Sequence, residues 1–265
     1  MSSNDYDLIV LQLEPTSSPI PRQSSKQMAY PNTAIVLAGG AGVRLRPLTD
    51  DIPKGLVRVA GKPLLQWVVE WLRQSDVENL VIGVAYLKEK IMRYFGDGHK
   101  FGVSIRYSVH SVEGGTGEGF RLAISRHVDA QSFFAMNGDQ ITDLSLPSLF
   151  KAHSSKRALA TIAGVHPTLP FGLLIKDRSG YCRGFVEKPT MRNILCSSGI
   201  YAFEKEVDAY LPKKGDLEKS TFPSLAREKR LTVYEHRGVF LTVNSLRELK
   251  DADRELKRWK PEKMS

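Results

Sequence analysis

Asn32-Thr-Ala-Ile-Val-Leu-Ala-Gly-Gly-Ala-Gly-Val-Arg-Leu-Arg-Pro-Leu-Thr49 runs from a continuous apolar segment straight into three closely spaced glycines. A strand buried on both faces, as in a parallel sheet, lacks hydrophobic alternation, so Asn32–Ala38 reads as a first strand and the glycines as the turn that leaves it. Beyond this junction, Leu64–Arg73 carries apolar residues at helical spacing and Asn79–Tyr86 is a second strand. Lys88–Phe95 then reads as helix, Ser104–Val109 as strand, Glu118–Ile124 as helix, and Ser132–Met136 as a strand running into Asn137-Gly-Asp139. Strands alternating with helices predict βαβ units and an α/β fold. After a helix over Leu146–His153, four strands come in quicker succession: Leu159–Val165, Gly172–Ile175, Cys182–Val186 and Ile194–Phe203. They predict an added mixed or antiparallel portion facing the first half across a cleft. Ser245 with Glu248 three residues on forms a capping box, opening a helix with Leu246, Leu249, Ala252, Leu256 and Trp259 on one face.

The chain's 265 residues are enough for one large domain, and 42% hydrophobic with 25% charged residues is the balance of an ordinary globular protein. Lys and Arg number 38 against 29 Asp and Glu, a net charge of +9 that attracts anions. Nucleic acid is not the expected partner, because no aromatic and basic stripe or recognition helix accompanies the charge. No membrane association is expected either: no stretch approaches the ~18 consecutive apolar residues of a spanning helix. Leu8–Leu13 is apolar but short, and it follows Asp5 and Asp7 rather than a basic segment, so it does not read as a signal peptide. Residues 14–27 are rich in Pro and Ser, the texture of a flexible extension. Cys182 and Cys196 sit in apolar runs without metal or redox spacing and read as buried reduced thiols of a cytoplasmic protein. His99, His110, His127, His153, His166 and His236 show no ligand spacing and read as surface or structural residues, with His110 and Glu113 bordering the turn at Gly115.

The glycine turn holds the richest chemistry. Gly39, Gly40 and Gly42 admit positive φ and let backbone N–H groups wrap an anion, although such turns also occur merely as tight corners. Arg44 offers a planar fork to phosphate oxygens, and Lys54, behind Pro53, adds a second cation. The loop is neither a Walker A motif, which needs Gly-Lys-Ser/Thr, nor a dinucleotide fingerprint, whose third glycine would fall at Leu45.

Together with Pro53-Lys54, Gly61-Lys-Pro63, Gly115-Thr-Gly117, Asn137-Gly-Asp139, Phe185-Val-Glu-Lys-Pro189 and Ser198-Gly-Ile-Tyr201, in that order, the sequence from about Asn32 to Leu256 resembles the sugar-1-phosphate nucleotidyltransferases, the NDP-sugar pyrophosphorylases. The resemblance implies a Rossmann-like three-layer α/β nucleotidyltransferase fold over residues 31–265, with a central, mostly parallel mixed sheet and a smaller sugar-binding portion. Residues 1–30 would be a flexible extension. It further implies that Leu37, Ala38, Gly39, Gly40 and Gly42 hold an NTP with Arg44, that Lys54 contacts the phosphates in flight, and that Asp139 binds Mg²⁺. Gly115 and Thr116 would lie against the nucleobase. Gly138, Glu187 and Ser197 would lie at the sugar, and Lys188 would grip its phosphate. Of the substrates this family uses, the texture resembles guanylyltransferases acting on mannose-1-phosphate with GTP, the alternative being glucose-1-phosphate with dTTP or UTP. A homo-oligomer is left open.

This chemistry requires no enzyme nucleophile. A phosphomonoester has a second pKa of about 6, so the attacking sugar-phosphate oxygen is already anionic at neutral pH. What is needed is position and positive charge. One lysine–phosphate contact at about 4 Å is worth about 4 kcal/mol of Coulomb energy at an effective dielectric of 20, before desolvation. One departure from the family pattern stands out. In Gly238-Val-Phe-Leu-Thr-Val-Asn-Ser245, Thr242 falls where a second metal-binding Asp is usual, so Asn244 or water would complete the coordination. That substitution also raises the alternative of a catalytically silent homologue that binds an NDP-sugar and regulates a partner.

Overall fold

Along β1 (Thr33–Leu37) successive side chains enter opposite apolar layers: Ala34 and Val36 join one, Ile35 the other. This two-sided burial explains the continuous apolar run. The computed structural model describes residues 29–258. After β1 come a short hairpin of β2 (Arg58–Val59) and β3 (Lys62–Pro63), then α1 (Leu64–Gln74), β4 (Asn79–Val84), α2 (Lys88–Phe95), β5 (Ser104–Val109) and α3 (Gly115–His127). There follow β6 (Ser132–Asn137), β7 (Gln140–Thr142), α4 (Leu146–Ser154), β8 (Ala160–Val165), β9 (Leu173–Lys176), β10 (Cys182–Val186) and β11 (Cys196–Glu204). The chain closes with α5 (Thr221–Arg227), β12 (Leu231–His236), β13 (Phe240–Thr242) and α6 (Leu246–Arg258).

The main sheet has seven strands in the order β12-β8-β11-β6-β1-β4-β5. Its neighbours pair in parallel except at β11, which runs antiparallel to both β6 and β8. The expected α/β fold with a mostly parallel mixed sheet is therefore present. One layer buries Trp71 and Leu72 of α1, Phe95 of α2 and Phe150 of α4; the opposite layer buries Phe120 of α3 and Phe222 of α5. A third cluster seats Ala252 and Leu256 of α6 on Leu45, Val59, Leu64, Ile141 and Val243.

Several expectations need correction. The quick succession of strands after α4 is not a separate portion, because β8 and β11 complete the main sheet; only the β9–β10 hairpin stands apart as its own two-stranded sheet. Cys182 and Cys196 are exposed, not buried. Cys182 lies on β10, where residues on both faces are exposed, and Cys196 opens β11 before that strand enters the core. α3 begins at Gly115, three residues before the expected start. β2, β3, β7, β12, β13 and α5 are absent from the sequence reading; β2, β3, β7 and β13 are two or three residues long, too short for a period to show. The fold reaches back to Tyr30, whose hydroxyl donates to the Ser75 carbonyl at 2.8 Å and whose ring packs on Phe134 and Phe150. Leu8–Leu13, the Pro- and Ser-rich stretch and Trp259 lie outside the described residues. Among the described residues no helix is long and apolar enough to cross a membrane.

Two predictions follow from the packing. Phe203 is fully buried and stacks on Tyr201 with ring centroids 5.2 Å apart, so Phe203→Ala should cost about 3–5 kcal/mol in a urea unfolding titration, as other large-to-small core changes do. His166, just past the end of β8, ties the segment between β10 and β11 to β12. Its Nδ1 faces the Met191 and Ile194 carbonyls at 3.2 and 3.0 Å, and its Nε2 faces Glu235 at 2.8 Å, with Arg237 on the same carboxylate. Both ring nitrogens meet acceptors, so the imidazolium is favoured and the hydrogen bond to Glu235 raises the His166 pKa above its ordinary value. The tether is therefore at full strength on the acid side and loosens as pH climbs through that raised pKa. An NMR titration should place His166 above a free histidine, and Glu235→Gln should bring it back down.

Candidate active site

The carboxyl ends of β1 and β6 lie side by side, with Leu37 opposite Asn137 in the parallel register. Two backbone bonds continue the alignment past the strands: Ala38 N–H donates to the Gly83 carbonyl at 2.7 Å and Gly138 N–H to the Leu37 carbonyl at 2.8 Å. In open α/β sheets this rim is where ligands bind. Here it carries a cleft of about 300 Å³ lined by Leu37, Ala38, Gly39, Gly40, Lys54, Gly55, His110, Val112, Gly115, Thr116, Asn137, Gly138, Asp139 and Asp216.

The glycine turn forms the floor. None of the N–H groups of Gly39 to Gly42 donates to another described backbone carbonyl, which leaves a run of donors for an anion. At Gly39 a Cβ would lie 2.5 Å from the His110 ring, so glycine is required for packing as well. Gly42 adopts φ +61, and Thr49 pins it by donating its hydroxyl to the Gly42 carbonyl at 2.8 Å. Arg44 stands exposed on a one-turn helix outside the cleft lining, and Gly42 also lies outside it.

At one end of the cleft, Lys54 donates from Nζ to Asp139 Oδ2 and to Asn244 Oδ1, both at 2.6 Å. Asp139 lies between β6 and β7, and Asn244 follows β13. The pairing of β7 with β13 brings them together: Thr242 lies opposite Gln140, and the next N–H, that of Val243, donates to the Asp139 carbonyl at 3.2 Å. Thr242 does not turn its hydroxyl toward Asp139, as its place in the family pattern would imply. Its hydroxyl is drawn to Glu248 Oε2 at 2.9 Å, and the same oxygen accepts the Asn244 N–H at 2.9 Å. The capping box is thus realised with its carboxylate reaching Asn244, while the Glu248 N–H donates to Ser245 Oγ at 3.2 Å. A carboxylate oxygen and an amide oxygen converging on one point form a hard donor pair that suits a divalent cation keeping most of its waters.

At the other end, Gly115 has φ +74 and no room for a Cβ, which would lie 2.5 Å from the Gly215 carbonyl. The Thr116 hydroxyl donates to Glu218 at 2.7 Å and accepts from the Leu217 N–H at 3.1 Å, so the start of α3 is locked to the 215–218 loop. Asp216 reaches the cleft from that loop; Lys219, 2.9 Å away, holds its carboxyl below the usual range. Beneath it, burial and the neighbouring Glu218 push the Tyr201 phenol well above its ordinary pKa. His110 Nδ1 lies 2.9 Å from the Ser111 carbonyl, which places the proton there and leaves the buried Nε2 without a partner.

The structure therefore gathers Leu37, Ala38, Gly39, Gly40, Lys54, Gly115, Thr116, Gly138 and Asp139 around one cleft. It does not bring Glu187, Lys188 or Ser197 into that lining. Glu187 and Lys188 are exposed beyond β10 and pair with each other at 3.4 Å, while Ser197 accepts the Gly199 N–H. Sequence reasoning missed Asp216, whose loop carries no periodic signal, and undervalued Asn137, already present in the Asn-Gly-Asp run. It named Asn244 only as a fallback.

Comparisons with known proteins identify the family of the chain. A family model described as nucleotidyl transferase matches residues 33–240. A Synechocystis protein named UTP–glucose-1-phosphate uridylyltransferase is 35% identical over 213 residues, covering 72% of this chain and 54% of that protein. The Dictyostelium discoideum mannose-1-phosphate guanylyltransferase catalytic subunit beta is 32% identical, over 79% of this chain and 60% of that protein. The chain thus spans a little over half the length of these two relatives. A solved structure titled as a putative glucose-1-phosphate thymidylyltransferase from Bacillus anthracis shares the fold with a TM-score of 0.70 at 22% identity, covering 86% of this chain and 96% of that one. With the glycine turn, Lys54 and Asp139 on one rim and most of its length matched, this chain belongs to the nucleotidyl transferase family.

Proposed function

We propose that this protein transfers a nucleotidyl group from an NTP to a sugar-1-phosphate, giving an NDP-sugar and pyrophosphate. The observation that carries the reading is the placement of unpaired glycine N–H donors, the Lys54 ammonium and the Asp139 carboxylate on one sheet rim. From Asp139, after β6, to His110, after β5, the rim crosses three strand spacings, about 14 Å at ~4.8 Å each. That span suits a nucleotide lying along it. The base sits between His110, Val112 and Thr116, and the triphosphate over Gly39 and Gly40. The α-phosphate lies toward Lys54, and the sugar-1-phosphate enters from the β6 side.

The chain's own groups account for the chemistry. The sugar-phosphate oxygen is already an anion, so the enzyme's tasks are to align it with the α-phosphorus and to offset charge on the departing pyrophosphate. The glycine N–H groups and Lys54 do the second; Gly138, with no side chain beside Leu37, leaves room for the first. Asp139 would hold Mg²⁺, which when bound supplies positive charge against the triphosphate. For the substrates, GTP with mannose-1-phosphate is the favoured pair, supported by the guanylyltransferase relatives. Glucose-1-phosphate with UTP or dTTP is the alternative, supported by the uridylyltransferase relative.

A pyrophosphate-release screen across all NTPs and several sugar-1-phosphates tests the reading. Turnover should appear with one preferred pair; binding of an NDP-sugar with no pyrophosphate from any pair would favour the regulatory alternative instead. Lys54→Ala should lower kcat by on the order of 10²–10³, the size expected for losing a preorganised charge contact to the transition state. Lys188 lies exposed outside the cleft lining, so it keeps the sugar-phosphate role that the resemblance implies only if Lys188→Ala chiefly raises the sugar-1-phosphate KM. If both variants change only the NTP KM, the assigned roles are wrong.

A further inference from the structure

We infer that Asp139 and Asn244 form a single cation-binding oxygen pair that the Lys54 ammonium fills in the nucleotide-free protein, so that Lys54 and a divalent metal exclude one another at this point. Asp139 Oδ2 and Asn244 Oδ1 approach the same nitrogen at the same distance, 2.6 Å. They come from segments 105 residues apart, with Lys54 a further 85 residues upstream, so this meeting is built by the tertiary fold and not by local chain geometry. The pair is held from behind. Glu248 fixes Asn244 through its backbone N–H, and the β7–β13 pairing fixes Asp139 through its carbonyl.

Two oxygens that converge on an ammonium are equally disposed toward a metal ion, and a carboxylate with an amide carbonyl is a donor set Mg²⁺ accepts. Both cations cannot sit there together. Lys54 is largely buried, with a side-chain exposure of 15%, and two positive charges at contact distance in such a place repel strongly. Among the described residues no group of three His, Cys, Asp or Glu side chains stands ready to outbid the lysine. The free protein therefore keeps its own counter-ion on Asp139. When a metal arrives with its nucleotide, the ammonium is displaced from the pair and becomes free to contact the phosphates. Glu248 acts as a positioning residue for Asn244. The catalytic meaning of the exchange rests on the nucleotidyl-transfer reading; the exchange itself does not.

The test is Mn²⁺ binding to the nucleotide-free protein, read as loss of free-ion signal by electron paramagnetic resonance, with folding checked by circular dichroism. Wild type should bind Mn²⁺ weakly. Lys54→Met, similar in length but uncharged, should bind at least tenfold more tightly, and Lys54→Arg, which keeps the charge, should stay near wild type. Adding Asn244→Ala or Asp139→Asn to Lys54→Met should remove the gain. Glu248→Ala in the same background should remove most of it, although Glu248 touches no metal. The inference is overturned if Lys54→Met binds no better than wild type, if Lys54→Arg gains as much as Lys54→Met, or if the gain survives Asn244→Ala. Because no substrate is present, a negative result here leaves the pyrophosphate-release screen untouched, and a silent screen leaves this result standing.

Discussion

The parallel pairing of β6, β1 and β4 is the constraint on which the rest of the site depends. Leu37 stands level with Gly83 on one side and Asn137 on the other, so three chain segments leave the sheet at one height. Their first residues past the strands are tied by backbone hydrogen bonds before any side chain is involved. This puts strict limits on bulk at the rim. A Cβ at Gly83 would lie 2.6 Å from Leu37, and one at Gly138 would lie 3.0 Å from the Leu37 carbonyl. Several glycines thus serve packing and ligand approach at once, because the backbones must lie close for the cleft floor to exist.

On this floor the electrostatics are arranged by long-range contacts. The protein's net charge of +9 sets a general attraction for anions, but the cation at one end of the cleft is not a free one. Lys54 is tethered by Asp139 and Asn244, and the loop at Asp216 carries its own counter-ion in Lys219. A cleft built to receive a polyanion therefore holds its carboxylates already neutralised. Such pairing offsets part of the desolvation cost of placing a carboxylate in a partly buried position.

The last helix has two roles with one physical origin. Ala252 and Leu256 dock α6 on the cluster around Leu45 and Leu64, under the segment that carries the glycine turn. Its first turn ends in the Glu248 carboxylate, which satisfies the N–H of Asn244 and the hydroxyl of Thr242. Helix capping is ordinarily a local matter of unsatisfied N–H groups. Here the residue being capped is also the one that reaches Lys54, so a local stability device sets the geometry of a distant site.

The sequence by itself determined the longer strands and helices that lead into the cleft and the glycine turn on its rim. The uninterrupted Ala34–Leu37 run, the helical spacing in Leu64–Arg73 and the glycines after β1 each carry their cause within a few residues. A strand buried on both faces must be apolar throughout, and a backbone that wraps an anion must lack side chains. Lys54 was legible as a cation in a local pattern, whereas the part given to Asp139 came only with the family resemblance, since an Asn-Gly-Asp run by itself reads equally as a turn. Tertiary structure alone decided the rest. Whether β8 and β11 join the main sheet depends on pairing between segments about 30 to 70 residues apart, which no local period encodes. Thr242 and Asn244 differ by two positions and both carry oxygen. Only the β7–β13 register and the pull of Glu248 sent one hydroxyl to the helix cap and the other residue's amide to Lys54, because hydrogen-bonding partners are assigned by proximity in space and not by proximity in sequence.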